Sequence, residues 1–456
     1  MFAPFFADHA ARPFLRDGDQ VLTYAEALAH GRELVADLGA ERRLVILRCT
    51  LTADAVAAYV ALLDAGHVPL LLEADLSEEL VAALAQRYRV AAIVAPGEPI
   101  AWRHEAEAPA LHPDLALLLT TSGSTGSPKL VRLSRRGVVA NAEAIAQSLG
   151  LDAGERPLLH LPMSYSYGLS VIHSHIVSGG CIVLTRASVM EPGYFADLVA
   201  GAATSIAGVP FHYTALRRLL AKVDAPHLTT LTQAGGRLDP KLVTFFADWA
   251  GSTGRRFVVM YGQTEAGPRI ALLPPGQAKD APEAIGVPLP GVTVTLRGDD
   301  GAPVPDGAPG EMVIESPGVM MGYAHGPEDL AAGDVQGGRL ETGDLAVRGA
   351  DGLLRIVGRA SRIVKVYGLR VNADEVEQRL AGEGHEALCF GSDDALRVLV
   401  AGATDAGAVR QRIVDLFSLP PRGIEVRTGA MPERTASGKL SAAALGAAWD
   451  AAGRPT

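Results

Sequence analysis

Cysteine and lysine are scarce in this chain of 456 residues. Its three cysteines, Cys49, Cys181 and Cys389, stand far apart. That spacing excludes a disulfide framework and paired-cysteine zinc ligands, and points to a reducing compartment. All three are expected to be small buried hydrophobes. A long apolar run is also missing. Mean hydropathy is +0.19. Yet the longest stretch without Asp, Glu, Lys or Arg, 157–185, holds three histidines, five serines, two prolines and the Gly179-Gly180 pair. A membrane-spanning helix needs about 20 predominantly apolar residues. The stretch instead reads as a buried helix and strand around a neutral pocket. Met1–Asp8 has no basic region, so no signal peptide is expected and the cytoplasm is the expected location. Net charge is -10, which gives no global pull toward nucleic acid or an anionic membrane.

What is present is a large apolar fraction, 48%, with 20% charged residues. That composition excludes disorder and supplies a sizeable core. At about 100–200 residues per domain the length predicts two to four units. Short apolar runs alternate with amphipathic segments. Strands are expected at 44–47, 68–72, 90–94, 115–119, 181–184, 204–207 and 257–260, with helices at 53–63 and 78–88. Such alternation predicts βαβ units and largely parallel sheets. After about Gly276 short strands with Gly, Pro and Asp turns take over, and Asp351-Gly352 marks a hairpin. From Val371 onward a smaller α+β pattern follows. The fold expected is α/β. A large N-terminal domain, 1–359, combines parallel sheets and helices with a small β-barrel-like part. A small mobile α+β domain, 360–456, follows.

Thr120-Thr121-Ser122-Gly123-Ser124-Thr125-Gly126-Ser127-Pro128-Lys129 directly follows the apolar run 115–119. Its hydroxyls, glycines and lysine offer donors and tight curvature for a polyphosphate. It is not a Walker A loop, because Pro128 precedes the lysine. Pro128 lacks an N–H and holds Ser127 extended, so the loop is expected to turn back rather than enter a helix. A flexible Ser/Gly linker is the competing reading. It is disfavoured by the strand before it and the Pro-Lys that ends it. Only six of the 41 basic residues are lysines. In so arginine-biased a chain, Lys129 and Lys439, the latter in Ser437-Gly438-Lys439, stand out as compact ammonium groups, with solvated surface lysines as the alternative. Tyr261-Gly262-Gln263-Thr264-Glu265 follows another strand; its carboxylate suits Mg²⁺ and its tyrosine a purine. Thr342-Gly343-Asp344 reads by itself as a turn, with a carboxylate able to take two ribose hydroxyls, and Gly358-Arg359, Lys365 and Gly368 follow.

Together these motifs resemble the adenylate-forming superfamily of acyl-CoA synthetases, peptide-synthetase adenylation domains and firefly luciferase. The resemblance covers nearly the whole chain. Residues 121–129 are similar to its phosphate loop, 261–265 to its adenine and magnesium motif, and 342–344 to its ribose motif. Gly358-Arg359 through Lys365, Gly368 and Glu375 resembles its hinge motif, and Pro432 to Lys439 the motif bearing its adenylation lysine. Leu22-Thr23-Tyr24-Ala25-Glu26 matches an early structural motif.

The resemblance implies that ATP and a carboxylate give an acyl-adenylate and pyrophosphate, after which a thiol displaces AMP. Lys439 would bridge carboxylate and α-phosphate. Thr121, Ser122, Thr125 and Lys129, with Gly123, Ser124 and Gly126 in the same loop, would hold the β- and γ-phosphates. Thr264 would touch the α-phosphate, Glu265 the Mg²⁺ and Asp344 the ribose, with Arg359 nearby. Gly236, Tyr261, Gly262 and Gln263 complete the expected nucleotide set. A swing of the C-terminal domain would bring Lys365 to Gly368 against a thiol tunnel. The hinge place usually held by Asp or Lys is Ser361 here, followed by Arg362.

Tyr165 takes the gating place of the family's His or aromatic residue. Tyr165, Ser166, Tyr167, Ser170, Phe211, Gly235, Met260 and Gly267 would line the acyl pocket, an apolar set suited to an aromatic or modest aliphatic acid. Ser166 replaces the Asp that pairs with an α-ammonium in amino-acid-activating members, so an α-amino acid is disfavoured. Arg269 reads as a surface arginine, with contact to a polar substrate tail as the alternative. Seventeen residues follow Lys439, so CoA, or the pantetheine of a carrier protein, is expected in trans. CoA is the favoured acceptor, and a stand-alone enzyme that loads a carrier protein is the alternative. A nucleotide-binding regulator without turnover is a third reading, disfavoured by Lys439 and Glu265.

Overall fold

A computed structural model describes residues 1–103, 108–120, 129–359, 362–366, 369–392, 395–402, 405–417, 419–433 and 442–452. The chain divides into two compact units. The first comprises 1–294, 313–340 and 352–354; the second comprises 295–312, 341–351 and 355–456.

The first unit holds two sheets. One runs, edge to edge, Gly322–Ala324, Leu130–Ser134, Leu115–Thr120, Val68–Glu73, Leu44–Cys49, Ala92–Val94 and Ala101–Trp102. Its centre is parallel, with Leu44–Cys49 flanked by Val68–Glu73 and Ala92–Val94. These strands are continuous apolar runs because both faces are covered. Leu44, Ile46, Leu70, Leu115 and Leu118 share one core with Val81 and Leu84 of the helix Glu78–Arg87. The other sheet has a parallel centre of Arg256–Tyr261, Thr230–Gln233, Ser205–Gly208, Pro157–Leu159, Ile182–Leu184 and Pro13–Asp17. Every expected strand is present, with ends moved by one or two residues. The helix Ala53–Asp64 is apolar nearly all round and is buried. It packs on the helix Tyr24–Leu34 at Gly31, where a Cβ would lie 2.1 Å from the Ala57 carbonyl oxygen.

The motif at 22–26 caps that second helix. Thr23 accepts from the Glu26 N–H, and Glu26 accepts from the Thr23 N–H at 2.9 Å. Tyr24 is buried, and its hydroxyl lies 2.8 Å from the His175 carbonyl and 2.9 Å from that of Gly180. Both carbonyls belong to the C-terminal end of the helix Ser166–Ser178 and the turn after it. The stretch 157–185 holds the expected buried helix and strand, Ser166–Ser178 and Ile182–Leu184, preceded by a further strand, Pro157–Leu159. Cys49 and Cys389 are buried, but Cys181 is half-buried, which departs from the expectation for all three. Among the described residues no helix is long and apolar enough to cross a membrane.

Strands Thr293–Arg297, Pro309–Glu315, Arg339–Arg348 and Leu354–Arg359, most of whose residues belong to the second unit, lie side by side in that order. The hairpin turn falls at Gly352, φ +76°. The rest is α+β. Ala395–Ala401 pairs antiparallel with Ala387–Ser392 and parallel with Ile424–Gly429. Helices Ala373–Gly382 and Ala406–Phe417 cover the strands, with Val376, Leu380, Val398, Ile413 and Val426 in one core.

Candidate active site

Strands Leu115–Thr120 and Leu130–Ser134 are antiparallel, Thr120 opposite Leu130. The segment joining them therefore reverses the chain, as Pro128 predicted. Thr121, Ser122, Gly123, Ser124, Thr125 and Gly126 lie outside the described residues. Lys129 is described, at the start of the returning strand. Its ammonium stands 3.6 Å from the centroid of the Tyr323 ring. Tyr323 sits on the edge strand Gly322–Ala324, in register with Val131. Its hydroxyl donates to Glu265 Oε1 at 2.8 Å, and burial, then the nearby carboxylate, raises the pKa of that hydroxyl.

Glu265 belongs to the short 3₁₀ turn Thr264–Ala266 that follows the strand Arg256–Tyr261. Its carbonyl accepts from the Met320 N–H at 2.8 Å. Thr264 Oγ1 lies 3.0 Å from Ser166 Oγ, at the first residue of the helix Ser166–Ser178. Three segments far apart in sequence thus present an ammonium, a carboxylate and two hydroxyls together. Gly262 makes this turn possible, since a Cβ there would lie 2.0 Å from the Pro268 carbonyl oxygen. Gln263 Nε2 is buried without a partner among the described residues. Tyr261 ends the strand, half-buried. Tyr323 was missed by sequence reasoning; its signal was a lone polar aromatic after the apolar run Val319-Met320-Met321.

A small apolar cavity lies beside the turn, walled by Leu119, Leu133, Val138, Leu169 and Pro268, with Ser166, Asn141 and His173 as polar members and Gly267 in the rim. Of the expected pocket residues, Ser166 and Gly267 line it. Tyr165 caps the helix start and places its hydroxyl against Gly235, where a Cβ would be 2.3 Å away. Gly235 takes φ +78°, and the carbonyl of Gly236 accepts from Gln233 at 2.8 Å. Tyr167 is buried edge-on to Tyr165, its hydroxyl 3.0 Å from the Thr232 carbonyl. Ser170 keeps its hydroxyl within the helix, donating to the Tyr167 carbonyl at 2.7 Å. Met260 is buried in its strand. Phe211 is not in the cavity; it opens the helix Pro210–Leu219 with its ring 62% exposed.

The surface reading of Arg269 is overturned: it is 2% exposed, with its guanidinium 5.1 Å from the centroid of the Tyr167 ring. It follows Gly267-Pro268 inward, and Asn141 donates to its carbonyl at 2.9 Å.

In the second unit, Asp344 is 5% exposed on the strand Arg339–Arg348, and Arg359 Nε lies 2.9 Å from its Oδ1. Thr342 orients the turn: its hydroxyl donates to the Met312 carbonyl at 2.8 Å and accepts from the Asp344 N–H at 3.0 Å. Arg362 bridges Asp374, at 2.8 Å, and Glu377. Lys365 lies on the strand Ile363–Val366. Ser361, Gly368 and Lys439 lie outside the described residues.

A family model for AMP-binding enzymes matches residues 96–324. Over 273 residues the chain is 31% identical to feruloyl-CoA synthase of an Amycolatopsis species, covering 59% of this chain and 54% of that protein. It is 33% identical over 278 residues to a long-chain-fatty-acid–CoA ligase of Yersinia pestis, covering 59% of this chain and 48% of that protein. The chain spans about half the length of the CoA synthases and ligases it matches. Among solved structures, O-succinylbenzoate coenzyme A synthetase of Bacillus subtilis in complex with AMP aligns with a TM-score of 0.77 and 23% identity, covering 96% of each chain. That likeness shows the fold.

Proposed function

This chain belongs to the AMP-binding enzyme family, and from that premise we propose that it is an AMP-forming acid–thiol ligase. It joins ATP and a carboxylic acid, aromatic or modest aliphatic, into an acyl-adenylate and pyrophosphate, and then transfers the acyl group to the thiol of CoA. The observation that carries this reading is the meeting of Lys129, Tyr323, Glu265, Thr264 and Ser166 beside an apolar cavity.

In the first step a carboxylate oxygen attacks the α-phosphorus and pyrophosphate leaves. Both reactants are anions, so the protein must neutralise and position them. Lys129 carries one positive charge to the phosphate loop. Thr264 donates to the α-phosphate, and Ser166, 3.0 Å away, fixes the rotamer of that hydroxyl. The carboxylate set fits Mg²⁺, which takes one or two protein carboxylates and completes its shell with phosphate oxygens and water. Glu265 is such a carboxylate, and among the described residues no cluster of three or more ligating side chains competes with it. When bound, Mg²⁺ supplies charge neutralisation at the phosphates. We assign Asp344 to the ribose, Arg359 to holding that carboxylate, and Lys439 to bridging carboxylate and α-phosphate. Residues 360–456 form the mobile domain that exchanges Lys439 for the Lys365–Gly368 segment before thiol attack. In the second step the thiol sulfur attacks the acyl carbon, AMP leaves, and the thiol proton passes to solvent.

The test is pyrophosphate release across a panel of carboxylic acids with Mg²⁺ and ATP. Acid-dependent release supports the assignment; tight ATP binding without any release overturns it. AMP release with CoA alone assigns the acceptor, and release only with a carrier protein assigns the alternative.

A further inference from the structure

Arg269 is a buried charge with no ion-pair partner among the described residues. Its Nε has no hydrogen-bond partner among the described residues. Among the described residues, burial and the phenol of Tyr167 are the influences on its charge. Two ionisable groups that feel its charge are themselves neutral. Burial pushes the Tyr167 hydroxyl up to about 12. His175 is pushed down to about 4, chiefly by burial, and its Nε2 is also without a partner among the described residues. Guanidinium does not lose its proton in a protein. An isolated buried cation is strongly unfavourable, and a methionine or leucine would fill the space without that cost.

The surroundings show which part of the cation is spoken for. Tyr167 faces it across 5.1 Å, so the ring supports the flat face of the guanidinium. That leaves the in-plane N–H fork, whose geometry matches a carboxylate with two parallel hydrogen bonds. The location points the same way. Gly267 and Pro268, the two residues before Arg269, line the apolar cavity, and Asn141 of that cavity donates to the Arg269 backbone carbonyl. Tyr167 meets Tyr165 edge-on, and Tyr165 lies against Gly235.

We propose that Arg269 anchors a second carboxylate of the substrate, so that the preferred acid is a dicarboxylic acid activated at one end and held at the other. This rests on the ligase reading above and narrows its substrate class. The substrate supplies the missing counter-charge only when bound, so the free energy of pairing goes to recognition rather than to folding. An acid of equal length ending in a methyl group leaves the fork unpaired and is rejected.

The experiment compares matched pairs, adipate with hexanoate and benzene-1,4-dicarboxylate with 4-methylbenzoate. Pyrophosphate exchange gives kcat/KM, and calorimetry without ATP gives binding. The wild-type enzyme is expected to favour the diacid of at least one pair by on the order of 100-fold. Arg269→Met should collapse that ratio to near one, and Arg269→Lys should restore part of it. Because the charge is uncompensated in the free protein, Arg269→Met should melt at the same or a higher temperature. Preference for the monoacid in both pairs overturns the proposal. So does an Arg269→Met variant that loses both acids equally or melts well below the wild type. If no acid supports exchange, the ligase reading fails, and calorimetry then decides this one. Diacid binding to the wild type but not to Arg269→Met sustains it; no binding sinks it.

Discussion

Lys129 and Tyr323 are joined face to charge, the ammonium 3.6 Å from the ring centroid, while the hydroxyl of the same ring donates to Glu265 at 2.8 Å. One side chain therefore contacts both a cation and an anion, the two groups we propose to serve the polyphosphate and its Mg²⁺.

Tyr323→Phe keeps the ring under Lys129 and removes the hydrogen bond to Glu265. A bond to a charged group is worth roughly 1.5–3 kcal/mol, about tenfold or more. We predict that the Mg²⁺ needed for half-maximal pyrophosphate exchange rises by about that factor. Tyr323→Leu should in addition raise KM for ATP. Unchanged Mg²⁺ dependence in Tyr323→Phe would remove the residue from this role.

Lys439→Ala is predicted to lose about 10²–10³ in adenylation, as expected for a donor aimed at a developing charge. Given a synthetic acyl-adenylate, the variant should still transfer to thiol. Equal loss in both half-reactions excludes the two-conformation scheme.

Ser166 is 7% exposed and hydrogen-bonded to Thr264, and its hydroxyl cannot neutralise an α-ammonium as a carboxylate would. Arg269 adds a buried positive charge to the region. A free α-amino acid should therefore bind worse than its desamino analogue, by several kcal/mol if the ammonium stays unpaired. Ser166→Asp should penalise neutral acids. Fastest exchange with an amino acid would show that an ammonium partner lies elsewhere.

Asp344→Ala is predicted chiefly to weaken ATP binding, measured by calorimetry. Its ion pair with Arg359 involves an exposed guanidinium, and such pairs are worth about 0.2–1 kcal/mol. Arg359→Ala should thus change the melting temperature little. A large loss of stability in Arg359→Ala would mark the pair as structural.

His173 is buried against Tyr59, 2.7 Å from its hydroxyl, and burial pushes it down to about 3. A histidine lowered in the folded state contributes stability above its unfolded value near 6.5, and that stability is lost as pH falls. At pH 5 the loss is about 2 kcal/mol for this group. Denaturant unfolding at pH 7.5 and pH 5 should show the difference, and His173→Gln should reduce it. Equal stability at both pH values for wild type and variant would contradict this account.

Much of the architecture was legible because its central strands are buried on both faces. Leu115 to Leu119 and Val68 to Leu72 are apolar without alternation, as two-sided burial requires. The reversal before Lys129 was legible because Pro128 limits the backbone before it. Tyr323 was not, since its meaning depends on pairing with Val131, far away in sequence. Arg269 was misread because arginine is usually exposed and no local pattern announces burial. Phe211 failed in the opposite sense: its apolar side chain suggested a pocket wall, but it opens a helix on the exposed side. Lys439 and the 121–126 loop were named from motif alone, and they lie outside the described residues.

The two hydrogen bonds from Tyr24 to the carbonyls of His175 and Gly180 have a mechanical meaning. They grip one end of a rod whose opposite end carries Ser166 against Thr264. At about 1.5 Å per residue the lever is roughly 20 Å long. Tyr24 thus ties the C-terminal end of this helix to the start of the chain, while Ser166 at its other end meets Thr264.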